Sequence, residues 1–134
     1  MAIAETATQH ALAYARERRQ GYIAGQSAHE PAPIVTHPDV KRMLLSMRAL
    51  TNAARAICYT TAVAIDRARN APNAAARRAA DERAALLTPV AKAFSSDIGS
   101  EVASLGMTGV AQFYRDVRVA QIYEGTNGIP FLTR

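Results

Sequence analysis

From Pro38 to about Asn70 the chain meets no helix breaker, and its apolar and small positions keep a strict rhythm. Val40, Met43, Met47, Leu50, Ala54, Ile57, Thr61 and Ala64 advance by alternating steps of three and four. That rhythm lines one side of an α-helix and suits lengthwise packing at a shallow crossing angle. About 33 residues at ~1.5 Å rise make a rod of roughly 50 Å. A second run, Leu87, Val90, Phe94, Ile98, Val102 and Leu105, keeps the same face buried to about Leu105 and predicts a long third helix. Ahead of these, Ile3, Ala7, His10, Ala11 and Tyr14 predict a first helix over residues 3 to 20, with Gly21 as its stop. After them, Val110, Phe113, Tyr114 and Val117 predict a short fourth helix over 109 to 120.

Residues 22 to 36, with Gly25, Pro31 and Pro33, read as an ordered loop between antiparallel helices. Thr36 stands before His37-Pro38-Asp39, so its hydroxyl is expected to cap the second helix, with Pro38 tolerated in the first turn and His37 a part of the helix start. Asn70-Ala71-Pro72-Asn73 breaks the chain between the second and third helices. Pro89 lacks an N–H and crowds the preceding turn, so it is expected to kink the third helix or shift its start. The fold expected is a single all-α domain over 1–134, an up-and-down four-helix bundle.

Composition supports that reading. Hydrophobic residues make up 49% of the 134, much of it Ala, with only 6% aromatic and no Trp; this favours closely packed helices over a sheet. The formal net charge is +5, carried mainly by Arg, since Lys41 and Lys92 are the only lysines. A basic balance can signal nucleic acid. Here the arginines are interleaved with Asp and Glu along helices and lack neighbouring aromatic platforms, so they read as solvated faces and oligomer contacts. Cys58 is the sole cysteine, which excludes an intrachain disulfide and a cysteine metal cluster. Beside the apolar seam it reads as a small buried group with no partner to make it a nucleophile. No apolar run approaches the ~18 residues of a membrane span, and no signal peptide is evident. A cytoplasmic location is expected.

The chemistry-bearing stretch is Gln121-Ile122-Tyr123-Glu124-Gly125-Thr126-Asn127-Gly128-Ile129, straight after the basic segment Arg115-Asp116-Val117-Arg118. It places one carboxylate, two glycines, a hydroxyl and a carboxamide within a few residues. Gly125 and Gly128 allow close approach of the backbone to a ligand and leave N–H groups free to point at one. On composition alone the stretch reads first as a glycine-stopped helix end with a solvated Glu.

The wording of the chain adds more. RDVRVAQIYEGTNGI at 115–129 closely resembles the C-terminal signature of acyl-CoA dehydrogenases. ALAYARERRQG at 11–21, PIVTHPDVKRMLLSMRALTNAARA at 33–56 and LLTPVAKAFSSDIGSEVASLG at 86–106 resemble further helices of the same domain. The resemblance implies that Glu124 is the base removing the α-proton of an acyl thioester. It also implies that Arg18 binds the flavin pyrophosphate of a neighbouring subunit, that Thr126 touches the flavin with Asn127 beside it, and that Gly125 lies against the substrate. FAD is the implied cofactor, acyl-CoA the implied substrate, and an electron-transfer flavoprotein the implied electron acceptor. A homo-oligomer built on the helical bundle is implied as well.

The sequence departs from the family pattern in two places. Shortly after Arg18, where many members have a Phe-Gly pair, this chain has Gln20-Gly21 and no Phe, and after EVASLG it passes through Met107-Thr108 into Gly109 without the glycine-rich His-Gly-Gly run. The resemblance spans nearly all of this chain but only about the C-terminal third of a family member, so activity is expected only where other chains supply the missing domains. Two other readings follow from the residues: a non-catalytic helical bundle that self-associates, and a basic helical module on nucleic acid, for which nothing speaks beyond charge.

Overall fold

The computed structural model describes residues 1–22 and 31–106, and these form an all-α assembly with no strand among them. Helix α1 spans Ala2–Glu17, α2 spans Pro38–Asn70 and α3 spans Ala74–Leu105, with a 3-10 turn at Ile34–Thr36 ahead of α2. The expected fourth helix over 109–120 lies outside the described residues.

Helices α2 and α3 form the long antiparallel hairpin that the seam spacing predicts. Their turn is built by local chemistry. Ala71 is extended (φ −64°, ψ 146°), the conformation a residue before proline favours. Asn73 then caps α3, its side-chain oxygen accepting from the Ala76 N–H at 2.8 Å. Arg77 donates back to the Ala71 carbonyl at 2.8 Å and closes the turn.

Helix α1 lies along one half of this hairpin, antiparallel to α2. Its start meets the middle of α2, where the Arg55 guanidinium donates to Glu5 at 2.7 Å, and its C-terminal turn meets Met43, Met47 and Leu105. At 16 residues it is half as long as its neighbours of 33 and 32, so the turn end of the hairpin extends beyond it.

The packed face of α1 keeps Ala7 and Ala11 of the expected one but not His10 and Tyr14. Ala4, Ala7 and Ala15 are buried and Ala11 is partly so, whereas His10 and Tyr14 are exposed. The stripe is alanine alone, which lets α1 approach closely. The core it completes contains Ala4, Ala7, Met47, Ala54, Ile98 and Val102, with Leu44, Leu50, Phe94 and Leu105 packed around it.

Along α2, the expected seam holds at Met47, Ala54, Thr61 and Ala64, and Thr51 joins it. Thr51 can be buried because its hydroxyl donates to the Met47 carbonyl at 2.8 Å, leaving no polar atom unpaired. Cys58 is half-buried and lies 3.2 Å from the Ser95 hydroxyl, a hydroxyl neighbour and not a base.

Three boundary expectations are corrected. Helix α1 ends at Glu17, not at residue 20, because Arg18 turns extended (ψ 121°) and the next residues pair with the segment before α2. Thr36 does not cap α2: His37 occupies the N-cap position, and the Thr36 hydroxyl donates to the Pro33 carbonyl. Pro89 does not move the start of α3, which begins at Ala74 and runs through the proline as one element.

The Glu5–Arg55 pair links α1 to α2 and carries a pH signature. A hydrogen bond from Gln9, then one from Arg55, lowers the Glu5 carboxyl below its ordinary value of 4.5. A depressed carboxyl contributes stability that is fully present above 4.5 and is lost as the pH falls through the folded-state value. Both side chains are more than a third exposed, so the contribution stays below about 1 kcal/mol. Arg55→Ala is expected to lower stability slightly at neutral pH and to flatten, without abolishing, the loss of stability below pH 4.5. Urea midpoints measured across that range check this; an unchanged acid limb would show that the ion pair contributes nothing.

Candidate functional site

The described part of the expected site is the corner where the tail of α1 meets the start of α2. Here the chain leaves the helix in an extended tail. The Arg18 N–H still bonds the Tyr14 carbonyl at 2.8 Å, but residues 18–21 then run beside 32–34. Ile34 N donates to Arg18 O at 2.8 Å, Gln20 N to Ala32 O at 2.9 Å, and Ala32 N to Gly21 O at 3.0 Å. Arg19 Nη1 adds a bond to the Pro31 carbonyl at 3.2 Å.

Two further features shape the corner. Gly21 adopts φ +71°, which glycine takes at no steric cost, and a Cβ at that position would lie 3.2 Å from His37 Cε1. Gly21→Ala is therefore expected to lower stability by about 1–2 kcal/mol, the left-handed penalty of a non-glycine residue. Thermal unfolding of the variant beside the parent chain measures it; an unchanged midpoint would mean that the tail is not held in this conformation. His37 Nε2 lies 2.8 Å from the Gln20 carbonyl oxygen, a contact the sequence did not suggest.

Within this corner the Arg18 side chain is exposed and makes no hydrogen bond or ion pair with any described residue. A free guanidinium on an anchored backbone suits a phosphate or pyrophosphate, which it can meet with two parallel N–H donors. Among the described residues no group of His, Cys, Asp and Glu could hold a metal ion. Glu124, Gly125, Thr126, Asn127 and Gly128 lie outside the described residues, so Arg18 alone of the sequence-derived site is placed.

The described residues also form concavities, one beside the corner and one away from it. A small apolar one, about 110 Å³, lies between Tyr14, Ala15, Val40, Met43 and Leu105; it falls short of the ~300 Å³ at which ligand pockets begin. The larger is an open groove along the turn half of the hairpin, beyond the reach of α1, lined by Tyr59, Val63, Ala64, Arg67, Ala76 and Arg83. It begins roughly 30 Å along α2 from His37, so it does not share a site with Arg18. Tyr59 and Val63 remain 62% and 53% exposed there. No helix among the described residues is long and apolar enough to cross a membrane.

An alanine-packed helical hairpin with a shorter helix along one half defines a domain of the helical-bundle class. The family model for "Acyl-CoA dehydrogenase, C-terminal domain" matches residues 1–133, and the chain belongs to that family. It is 48% identical over 140 aligned positions to a 3-methylmercaptopropionyl-CoA dehydrogenase of Ruegeria pomeroyi, an alignment covering 96% of this chain and 24% of that protein. It is 31% identical to a broad-specificity linear acyl-CoA dehydrogenase of Mycobacterium tuberculosis, again over 96% of this chain and 24% of the relative. The butyryl-CoA dehydrogenase structure from Megasphaera elsdenii superposes with a TM-score of 0.73 at 24% identity, over 97% of this chain and 31% of that one. This last likeness speaks for the fold. The chain thus spans about a quarter of the length of these two relatives.

Proposed function

We propose that this chain supplies the helical-bundle part of a flavin-dependent acyl-CoA dehydrogenase, with Glu124 as the base that abstracts the α-proton of an acyl-CoA thioester. The observation that carries the proposal is the family match across residues 1–133, which includes the YEGTNGI stretch. A carboxylate is the right chemistry for that proton if it is held close to the α-carbon in a water-poor site. Gly125 gives the thioester close access to the backbone beside the base. Thr126 and Asn127 offer a hydroxyl and a carboxamide toward the cofactor, and Arg18 offers its guanidinium to the pyrophosphate.

FAD, when bound, supplies the hydride acceptor. Glu124 would take up the α-proton as that C–H bond breaks, and the cofactor would supply the acceptor for the β-hydride, leaving a trans-2,3 double bond in the acyl chain. An electron-transfer flavoprotein would be the acceptor that returns the cofactor to its oxidised form. Because the chain matches about a quarter of its relatives, the substrate pocket is completed by other domains or chains, and a homo-oligomer through the bundle is the arrangement we favour. A reducing, cytoplasmic setting fits the single free thiol, Cys58.

The test is a visible absorption spectrum of the purified protein, before and after addition of excess FAD and removal of unbound flavin. Retained flavin bands support the proposal. A colourless protein that nevertheless associates with itself would favour a second reading, a non-catalytic bundle, for which the exposed Tyr59 and Val63 beside the hairpin groove supply a surface.

A further inference from the structure

We propose that His37 is a positioning residue for Arg18: its imidazole clamps the tail of α1 to the start of α2 and so fixes where the Arg18 guanidinium is presented to a pyrophosphate group. The inference rests on the reading of Arg18 as a cofactor contact given above.

The clamp is assembled from both ends. On the α2 side the His37 backbone is held twice, its N–H donating to the Ile34 carbonyl at 3.1 Å and its carbonyl accepting from the Lys41 N–H at 3.0 Å. The residue is the N-cap of a 33-residue helix, so the imidazole projects from a fixed base. On the α1 side Nε2 meets the Gln20 carbonyl oxygen at 2.8 Å. A carbonyl oxygen can only accept, so Nε2 carries the proton and donates. Gly21 closes against the ring, as the 3.2 Å that a Cβ there would leave to Cε1 shows.

Without this bond the tail depends on the three backbone bonds between 18–21 and 32–34 and on the Arg19–Pro31 contact. So short a paired segment is marginal without further packing. Arg18 is the first residue of the tail and Gln20 lies two positions on, so the bond made by His37 limits how far the Arg18 backbone can swing. A guanidinium whose backbone is already in place loses less freedom when it engages an anion.

The test uses the full chain, isotopically labelled, with two substitutions. His37→Leu keeps the bulk of the side chain and loses the donor, while His37→Gln keeps an N–H donor of similar reach. Amide hydrogen exchange reports the clamp, and the Arg18 Nε–H signal during a titration with inorganic pyrophosphate reports the presentation of the guanidinium. In His37→Leu, exchange at Gln20 and Ala32 is expected to quicken by roughly 2- to 10-fold, the effect of one net hydrogen bond, with Thr51 and Val102 in the core unchanged. The apparent pyrophosphate affinity at Arg18 is expected to fall by a similar factor. His37→Gln is expected to restore both.

Exchange and titration curves in His37→Leu that coincide with those of the parent chain would overturn the inference. So would a quickening that spreads equally to Thr51 and Val102, or a failure of His37→Gln to restore the parent values. An Arg18 signal that ignores pyrophosphate in the parent chain itself would overturn the cofactor reading of Arg18 and, with it, the positioning role. The exchange data would then still show separately whether His37 holds the tail.

Discussion

Replacing Glu124 by Gln is expected to lower acyl-CoA oxidation by about 100-fold or more while leaving flavin bound, since a positioned general base contributes roughly 10²–10⁴ to a rate. Gln preserves the size of the side chain and its capacity to hydrogen-bond, but its carboxamide cannot take up the α-proton near neutral pH. Loss of turnover with an unchanged flavin spectrum therefore separates the proton-transfer role from any structural one. The comparison is made on flavin-loaded protein with kcat/KM as the readout, so the loss converts directly into transition-state free energy. Undiminished turnover in the variant would move the base to another residue. A loss of flavin together with activity would instead indicate that Glu124 supports the fold of its loop.

The largest effect on stability is expected at Met47. It is 1% exposed and is one of the three largest fully buried side chains, with Val102 and Thr51. It packs in one cluster with Ala4, Ala7 and Ala54. These alanines have no side chain that could swing in to refill a void, so Met47→Ala leaves a cavity as well as losing apolar burial. The expected cost is about 2–5 kcal/mol, a large share of the 5–15 kcal/mol by which domains are usually stable. The Thr51 hydroxyl bond is unaffected, since it is made to the Met47 backbone carbonyl. Leu45, on the same helix but 68% exposed, provides the control: Leu45→Ala is expected to stay within about 0.5 kcal/mol. Urea unfolding of both variants decides the matter through their midpoints, with slopes unchanged. Equal midpoints for the two would mean that the alanine-lined interior is not the core of this domain.

The long hairpin was legible in the sequence because its evidence is periodic. Steps of three and four sustained from Val40 to Ala64, and again from Leu87 to Leu105, specify two rods that must bury a shared face, and Asn70 to Asn73 announces the turn between them. The face of α1 is legible only in part, at Ala7 and Ala11, because alanine signals orientation poorly. Ala4, Ala7, Ala11 and Ala15 carry the contact, whereas the larger side chains of His10 and Tyr14, which share the helical spacing, stay exposed.

Helix ends were misread where competition between backbone partners decides them. Arg16 to Gln20 could continue a helix, but the segment before α2 offers main-chain partners at Ala32 and Ile34 that draw the tail into an extended path. Thr36 has the right residue type for a cap, but it lies in the 3-10 turn one position before the N-cap His37, and its hydroxyl donates to the Pro33 carbonyl.

Of the candidate site, Glu124 and Thr126 were readable as chemistry only through the wording of the surrounding motif, because a Glu beside glycines is otherwise an ordinary helix end. His37 could not be read as a clamp at all. Its partner is a backbone carbonyl 17 positions away, and no side-chain pattern encodes such a contact. A His directly before the proline of a helix start, with a glycine in the tail that follows the preceding helix, is the one local hint the chain gives.

The measurement that tests the proposed function most directly is anaerobic addition of an acyl-CoA to the flavin-loaded protein, completed by the domains that close its substrate pocket, while the visible flavin absorption is followed. The account predicts bleaching of the oxidised flavin bands with formation of a 2-enoyl-CoA, and no bleaching in Glu124→Gln. Flavin that stays oxidised in the parent protein under those conditions would contradict it.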